Sequence, residues 1–218
     1  MNGQKIFKQV MWVILVTLFL VGCGAPVATP TIQPGDSERK LMVNDLERSY
    51  LLHIPPDLNN QQPVPVVFAF HGYTQSPLIM KKMAGLNDVA DQANFLVAYP
   101  KGVNNTWTYG GGGTGDETAE NVDELAFIRQ MLSDLETIAT IDPKRIYAVG
   151  FSRGGALVYG LACDMSDIFA AIASVSGPME YDTCQPSQPV SVLHVMDLPT
   201  HIYFTPMELR KASLPGRS

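Results

Sequence analysis

The stretch Gly150-Phe151-Ser152-Arg153-Gly154 constrains the fold more than any other part of the sequence. It follows the apolar run Arg145 to Val149, which predicts a buried strand, and precedes Ala156 to Ala162, which predicts a helix. A Gly-x-Ser-x-Gly pattern between a strand and a helix is typical of a nucleophile elbow, a sharp turn in which the flanking glycines let strand and helix approach closely. The pattern therefore predicts that Ser152 is a nucleophile at the carboxyl end of a strand.

Apolar strands alternate with amphipathic helices along most of the chain, which predicts a mostly parallel, doubly wound α/β sheet flanked by helices. The globular domain is expected at residues 39–195, where a hairpin around Asn44-Asp45 precedes the alternating part. The predicted strands are Arg39 to Val43, Arg48 to Ile54, Pro63 to Phe70, Phe95 to Tyr99, Arg145 to Val149, Ala170 to Val175 and Val190 to Val195, and the predicted helices are Pro77 to Asn94, Ala119 to Ala139 and Ala156 to Ala162.

Charge and cysteine content argue against several classes of protein. The 218 residues carry a formal net charge of −6, so there is no basic surplus to neutralise the phosphates of a nucleic acid. The three cysteines show no Cys-x-x-Cys spacing, which argues against structural zinc. Residues 110–115 have Gly-x-Gly-x-x-Gly spacing, but they follow no predicted strand and precede acidic residues that would repel phosphate. We therefore expect no metal, no cofactor and no nucleic-acid partner, and no oligomer is implied.

The N-terminus predicts export. Lys5 and Lys8 precede an uncharged apolar run from Val10 to Val21, which has the length of a signal-peptide core and is too short for a comfortable membrane span. The run ends Val21-Gly22-Cys23, which resembles a bacterial lipobox. We therefore expect residues 1–22 to be a cleaved signal peptide, Cys23 to be lipidated, and residues 23–38 to be a flexible Pro/Thr-rich tether to the cell envelope. The alternative is an ordinary secretory signal with an incidental cysteine.

A serine nucleophile of this kind needs two backbone N–H groups directed at the developing oxyanion. One comes from the residue after the serine, which is Arg153. The other is expected from the loop after an earlier strand, and we assign it to Tyr73, which follows the Pro63 to Phe70 strand. His71 lies upstream of Ser152, whereas this fold places its base after the serine, so His71 is expected to be a structural part of the loop.

The residues from Pro63 to Val195 resemble the polyhydroxybutyrate depolymerase and feruloyl or acetylxylan esterase group of secreted α/β-hydrolases. The resemblance implies that the chain is a carboxylic ester hydrolase that forms an acyl-enzyme on Ser152, and it leaves the ester unspecified. Arg153 departs from the small or amide residue that the family often has there. The matching stretches are His71-Gly72-Tyr73, Tyr99-Pro100 with Trp107, Asn121 to Ile128, Asp142 to Tyr147, Gly150 to Gly155, Leu161-Ala162-Cys163, Cys184, and Pro189 to Val195.

The acid and the base of the triad are not found where the family has them, because the resemblance ends at Val195. Asp197 and His201 could serve only in an unusual geometry, and Glu180 or Asp182 is a second candidate for the acid. We therefore expect residues 39–195 to be an incomplete hydrolase domain that is inactive in this form. The competing hypothesis is a non-catalytic envelope lipoprotein that retains a hydrolase-fold binding cleft.

Residues 196–218 are expected to be an out-of-frame translation. Restoring one nucleotide before Met196 recovers a His-Gly-x-Ala-Asp-Pro loop, where the family carries its triad acid. The remaining cysteines are expected to pair. Once Cys23 is lipidated, Cys163 and Cys184 are left in an oxidising compartment, and we predict a disulfide between them.

Overall fold

The computed structural model describes residues 33–108, 122–181 and 183–196, all in one unit that begins at Gln33. Its seven strands form one sheet in the order β1-β2-β4-β3-β5-β6-β7. The strands are β1 (Gly35–Val43), β2 (Leu46–Ile54), β3 (Val64–Phe70), β4 (Leu96–Pro100), β5 (Ile141–Phe151), β6 (Ala171–Val175) and β7 (Ser191–Val195). The helices are α1 (Pro77–Ala84), α2 (Leu86–Ala93), α3 (Glu124–Glu136) and α4 (Arg153–Asp164), with a short 3-10 turn at Val103–Asn105.

The sheet is mixed but mostly parallel. Strands β3 to β7 pair in parallel, whereas β1 pairs antiparallel with β2 and β2 pairs antiparallel with β4. Strands β3 and β4 lie in the middle, and Val66, Phe68, Leu96 and Tyr99 are fully buried. This agrees with the continuous apolar runs of both strands, which are typical of strands covered on two faces. The predicted α/β-hydrolase architecture is confirmed, with β1 and β2 as an antiparallel addition.

Several sequence predictions concern residues outside the described ranges. They are the signal peptide at 1–22, lipidation at Cys23, most of the tether, the Gly-x-Gly-x-x-Gly spacing at 110–115, and the candidate triad residues Asp182, Asp197 and His201 together with the tail from 197.

Strand β1 begins at Gly35, so the start of the first strand, predicted at Arg39, is wrong. Residues 35–38, which the sequence assigned to the tether, pair with β2, and Gly35 lies opposite Ile54. The turn between β1 and β2 has positive φ angles at both Asn44 and Asp45, as two-residue hairpins require. The residues around Asp36 are polar and do not show the alternation of apolar and polar residues that indicates a strand, so the sequence pattern did not predict this part of β1.

The single helix predicted for Pro77 to Asn94 is two helices. Gly85 ends α1 in the left-handed conformation, with φ 61°, and α2 begins at the next residue. Read as one helix, residues 77–94 would bury Leu78 and Ile79 on a single apolar face, but these side chains are 49% and 46% exposed, and Met80 and Ala90 are buried instead. The break at Gly85 changes the angular position of each side chain, so spacing counted along one continuous helix no longer applies.

Helix α3 starts at Glu124 rather than at Ala119. Asp123 caps it, because its side chain accepts a hydrogen bond from the Ala126 N–H at 2.8 Å. Strand β5 begins at Ile141, earlier than the predicted Arg145, and includes Asp142-Pro143. No helix within the described ranges is long and apolar enough to cross a membrane.

Candidate functional site

Ser152 lies in the turn between β5 and α4 with φ 53° and ψ −114°. A non-glycine residue with this backbone is strained by about 1–3 kcal/mol and persists only where the surrounding structure holds it. Two backbone hydrogen bonds do so. The Ser152 N–H donates to the Val175 carbonyl at 2.8 Å, and the Ser152 carbonyl accepts from the Ala156 N–H at 3.0 Å. The residue is half-buried and lies at the carboxyl edge of the sheet.

The close approach of strand and helix around Ser152 depends on glycines. A Cβ on Gly150 would overlap the Gly154 carbonyl, and a Cβ on Gly154 would overlap the Phe70 carbonyl of β3. The sequence singled out these two glycines, but it missed Gly177. A Cβ on Gly177 would lie 2.5 Å from the Ser152 carbonyl oxygen, so the loop after β6 also presses against the elbow. Nothing in the pattern around Gly177 gave a signal of this contact.

The loop after β3 lies beside the elbow because β3 and β5 are neighbours, with Phe70 opposite Gly150. In this loop the Gly72 N–H already donates to the Gln75 side chain at 2.9 Å. The Tyr73 ring is 55% exposed. The loop that carries the Tyr73 N–H and the first residue of α4 therefore lie at the same edge of the sheet, where an oxyanion hole would have to form.

His71 is part of the scaffold below this loop. Its Nδ1 lies 2.8 Å from the Gly72 carbonyl oxygen, and its Nε2 lies 3.0 Å from the Gly102 N–H. The pair of contacts fits one neutral tautomer, in which Nδ1–H donates and Nε2 accepts. Burial lowers the pKa of His71, which favours the same neutral form. With both nitrogens bonded to backbone, the ring has no free position from which to accept a proton.

The Arg153 side chain joins the loops after β4 and β6. Its Nε donates to the Trp107 carbonyl oxygen at 3.0 Å, and its Nη1 pairs with Glu180 Oε2 at 3.2 Å. Trp107 is itself fixed, because it is buried and its Nε1 donates to the His71 carbonyl at 2.7 Å. Glu180, one of the candidate triad acids, is therefore bound to an arginine and not to a histidine. The third nitrogen of the guanidinium, Nη2, is buried and has no hydrogen-bond partner among the residues that the structure describes.

None of the three histidines in the described ranges is hydrogen-bonded to Ser152. His71 is bonded as above, His53 lies between Asp36 and Asp91, and His194 is bonded to the Tyr159 hydroxyl at 2.7 Å. An apolar strand such as Val190 to Val195 favours a buried position for His194, but β7 is exposed along its whole length. The fourth histidine, His201, lies outside the described residues.

Cys163 and Cys184 form a disulfide in the structure, with an S–S distance of 1.97 Å. Cys163 lies in the last turn of α4 and Cys184 in the segment between β6 and β7. The bond therefore ties the helix that begins at Ser152 to the loop that also carries Glu180. Among the residues that the structure describes, no group of three or more acidic, histidine or cysteine side chains could hold a metal ion.

Comparison with known proteins places this site in a family. The family model described as "Esterase PHB depolymerase" matches residues 48–202. This range is longer at both ends than the stretch from Pro63 to Val195 that carries the resemblance in the sequence. A putative esterase, NocK, of Nocardia uniformis subsp. tsuyamanensis is 32% identical over 173 residues, which are 78% of this chain and 49% of NocK. The bifunctional acetylxylan esterase/xylanase XynS20E of Neocallimastix patriciarum is 28% identical over 66% of this chain and 20% of its own length.

Solved structures agree in fold. A thermostable esterase superposes with a TM-score of 0.57 at 17% identity, covering 74% of this chain and 55% of that one. The chain thus spans about half the length of NocK and of this structure, and less of XynS20E. Because the family match covers most of the chain, including the elbow at Ser152, the chain belongs to the esterase PHB depolymerase family of ester hydrolases.

Proposed function

We propose that this protein is a serine esterase whose nucleophile is Ser152, and that the N–H groups of Tyr73 and Arg153 form its oxyanion hole. In the first half of the reaction Ser152 Oγ attacks the ester carbonyl carbon, its proton passes to a base, and the alcohol leaves with a proton. Water then hydrolyses the acyl-enzyme and releases the acid. The strained backbone of Ser152 between β5 and α4 is the observation that carries the proposal.

Two further observations support these roles. Ser152 is only half-buried, so a substrate carbonyl can reach it. Arg153 is the first residue of α4, and its N–H is one of the donors that a helix leaves without an intrahelical partner. Such donors favour negative charge at a helix N-terminus, which is what a tetrahedral intermediate develops. The three described histidines are bonded elsewhere, so the base is expected outside the described residues. His201 could serve only in an unusual geometry, and residues 196–218 are themselves expected to be an out-of-frame translation.

An active-site phosphonate probe tests the nucleophile. A fluorophosphonate should label the wild-type protein at Ser152 and should not label Ser152→Ala, because phosphonylation requires an activated serine. Hydrolysis of p-nitrophenyl acetate that disappears in Ser152→Ala would establish turnover, and its loss in His201→Ala would identify the base. A folded wild-type protein that reacts with no phosphonate would contradict the proposal.

That last outcome would favour the second candidate, a non-catalytic protein that keeps the cleft for binding. The specific observation behind it is that the three described histidines are engaged elsewhere. A protein of this kind should bind esters with equal affinity in the wild-type and Ser152→Ala forms and should never release product.

We also propose that the protein is exported and held at a membrane through lipid on Cys23, after removal of residues 1–22. Support comes from the basic and apolar N-terminus and the Val21-Gly22-Cys23 sequence. Cells fed an alkyne-tagged fatty acid should yield a labelled wild-type protein and an unlabelled Cys23→Ser variant. Label that persists in Cys23→Ser would refute lipidation at this residue.

Export also bears on the cysteines, because a disulfide persists only in an oxidising compartment. We propose that the Cys163–Cys184 bond forms in the exported protein. Mass spectrometry after alkylation without reduction should find neither cysteine modified, whereas two alkylated thiols would refute the pairing. The nucleotide sequence of the gene around Val195 tests separately whether residues 196–218 are an out-of-frame translation.

A further inference from the structure

We propose that the outer face of helix α1 docks on the phospholipid bilayer that holds the lipid of Cys23, and that it does so by inserting apolar side chains. This outer face consists of Leu78, Ile79, Lys82 and Met83. The inference rests on the lipid proposed at Cys23 and adds to it a direct contact between the folded domain and the membrane.

The first observation is that three large apolar side chains share the exposed side of α1. Leu78, Ile79 and Met83 are 49%, 46% and 47% exposed, whereas Pro77 and Met80 are buried against the rest of the domain. Residues four apart are neighbours on a helix surface, so Ile79 and Met83 are adjacent. Single exposed apolar residues are common on proteins, but a contiguous group of them indicates a contact surface.

A lysine completes this face. Lys82 is exposed, and it follows Leu78 by four residues and Ile79 by three, so it is a neighbour of both on the helix surface. A lysine among apolar residues suits the surface of a bilayer, because its stem packs with the apolar groups while its ammonium group stays at the level of the lipid headgroups. The composition of the outer face therefore fits a membrane surface.

The second observation is where the preceding chain joins the domain. Strand β1 begins at Gly35, and the next residue, Asp36, is bonded to Lys81 of α1 and, at 3.0 Å, to Asn87 of α2. The chain therefore enters the domain beside α1. Gly35 is the twelfth residue after Cys23, so even a fully extended chain keeps it within about 40 Å of the lipid.

This short connection makes a weak contact sufficient. A surface held so close to a bilayer meets it at an effective concentration on the order of millimolar, so a few apolar side chains can hold it there. A stable protein interface needs about 20–30 residues on each side, and the outer face of α1 offers four. Its size and its position beside the tether favour a bilayer over a second copy of this chain or another protein.

Charge contributes little to this contact, so apolar insertion has to supply it. Lys81 is paired with Asp36, and the exposed Asp88 at the start of α2 carries the opposite charge to Lys82. The chain as a whole has a formal net charge of −6 and gains nothing from anionic lipids. We therefore expect docking on a zwitterionic bilayer, and we expect it to persist in salt, which screens exposed charges but not apolar insertion.

Brominated lipid, which quenches tryptophan on contact, tests the proposal. The exported protein carrying Ile79→Trp is reconstituted in phosphatidylcholine vesicles with brominated acyl chains, and its fluorescence should fall about twofold relative to unbrominated vesicles. Met42→Trp is the matched control. Met42 is 63% exposed but pairs with Glu47 at the end of the β1–β2 hairpin opposite Gly35, so we expect almost no quenching there. Trp107 is buried and gives both variants the same background.

A negative charge placed in the outer face tests the insertion itself. Adding Met83→Asp to the Ile79→Trp protein should abolish the quenching, because a carboxylate is costly in the apolar layer of a bilayer. Adding Met42→Asp instead should leave the quenching unchanged. Both proteins should still float with the vesicles, because the lipid at Cys23 is untouched. Quenching of Ile79→Trp should also be equal at low and high salt.

Three results would overturn the inference: equal quenching of Ile79→Trp and Met42→Trp, quenching that survives Met83→Asp, or a blue-shifted emission of Ile79→Trp without quenching. The last result would mean that protein covers the outer face, either a second copy or residues 197–218.

Fatty-acid labelling at Cys23 is measured separately from quenching. If Cys23 carries no lipid, the two tryptophan variants are mixed with the vesicles in excess. The same difference between Ile79→Trp and Met42→Trp is then expected, and its absence would contradict docking. Failure of the proposed anchor is therefore distinguishable from failure of the proposed contact.

Discussion

The backbone of Ser152 is held by contacts from three directions. The strand before it, the helix after it and the loop at Gly177 all approach within a distance that leaves no room for a side chain at positions 150, 154 or 177. Such surroundings allow a strained residue to persist, because relaxing its φ angle would require strand and helix to separate. The site therefore depends on residues that have no functional group.

Gly154→Ala should be severely destabilising. Gly154 does not have a positive φ, so the loss would come from overlap of the new methyl group with the Phe70 carbonyl, a backbone group that cannot rotate away. We expect a loss of about 3 kcal/mol or more in the free energy of unfolding, measured by urea denaturation. Gly85→Ala is the matched control. Its new methyl group would contact no other atom, so only the left-handed φ of 61° would be strained, and we expect a loss of about 1–2 kcal/mol in the free energy of unfolding. Equal losses in the two variants would contradict the steric argument.

His71 should make the protein less stable as the pH falls. Burial lowers its pKa from the model-peptide value of 6.5, so below that pH the unfolded chain binds a proton that the folded chain does not. Stability contributed by neutral His71 is complete above about pH 7 and declines as the pH falls below the unfolded-state pKa of 6.5. Urea denaturation across this range should show a shallower decline for His71→Gln than for the wild type. Parallel pH profiles for the two proteins would show that His71 does not titrate in this window.

At the scale of elements, β2 and α3 are joined by a buried ion pair. Arg48 on β2 and Glu124 at the start of α3 lie 2.8 Å apart with side chains only 2% and 1% exposed, and the guanidinium lies 4.1 Å from the centre of the Phe127 ring. No sequence pattern predicts this pair, because a glutamate near the start of a helix is already explained by its favourable interaction with the helix dipole. Burial raises the pKa of Glu124, and Arg48 opposes that change.

Glu124→Ala should cost about 3–5 kcal/mol of unfolding free energy, because it leaves the buried Arg48 charge without its carboxylate, and the Lys101 carbonyl, which Arg48 also contacts, carries no compensating charge. The double variant Arg48→Met with Glu124→Ala should recover part of the loss, since it removes both charges. Glu47→Ala is the control: Glu47 pairs with Lys40 at 2.9 Å on the surface, both side chains are well exposed, and we expect little or no change. A small effect of Glu124→Ala in chemical denaturation would show that Arg48 finds another partner.

Element boundaries show what the sequence can and cannot predict. Strands β3 and β4 and the elbow were predictable, because burial on both faces and a strand-to-helix turn leave strong local patterns in Pro63 to Phe70 and around Ser152. The division of one predicted helix at Gly85 and the early start of β1 at Gly35 were not, because they depend on contacts with distant residues. Contacts of the site were also not predictable, because the Arg153 side chain bonds to Trp107 and Glu180, which lie in separate loops.

At the scale of the molecule, the described sheet ends at β7 with an apolar surface. Val192, Leu193 and Val195 are 51%, 61% and 47% exposed, and β7 pairs with β6 on one side. Exposed apolar strands at a sheet edge promote association between chains. We expect concentration-dependent self-association in light scattering and a marked reduction in Leu193→Lys. Glu47→Lys, a charge change on a distant strand, is the control; an equal reduction there would trace the association to net charge.

The polar contacts around Asp36 give the protein mechanical resistance at its N-terminal end. Asp36 is the second residue of β1, and its carboxylate is bonded to His53 of β2, Lys81 of α1 and Asn87 of α2. A pull on the chain before residue 33 reaches this point first, and peeling of β1 from β2 would begin with the pair Gly35 and Ile54. Because the Asp36 carboxylate is bonded to residues of three elements, we expect these bonds to break before the backbone hydrogen bonds between β1 and β2 separate one after another. We therefore expect the bonds of Asp36 to resist tension on the preceding chain before β1 separates from β2.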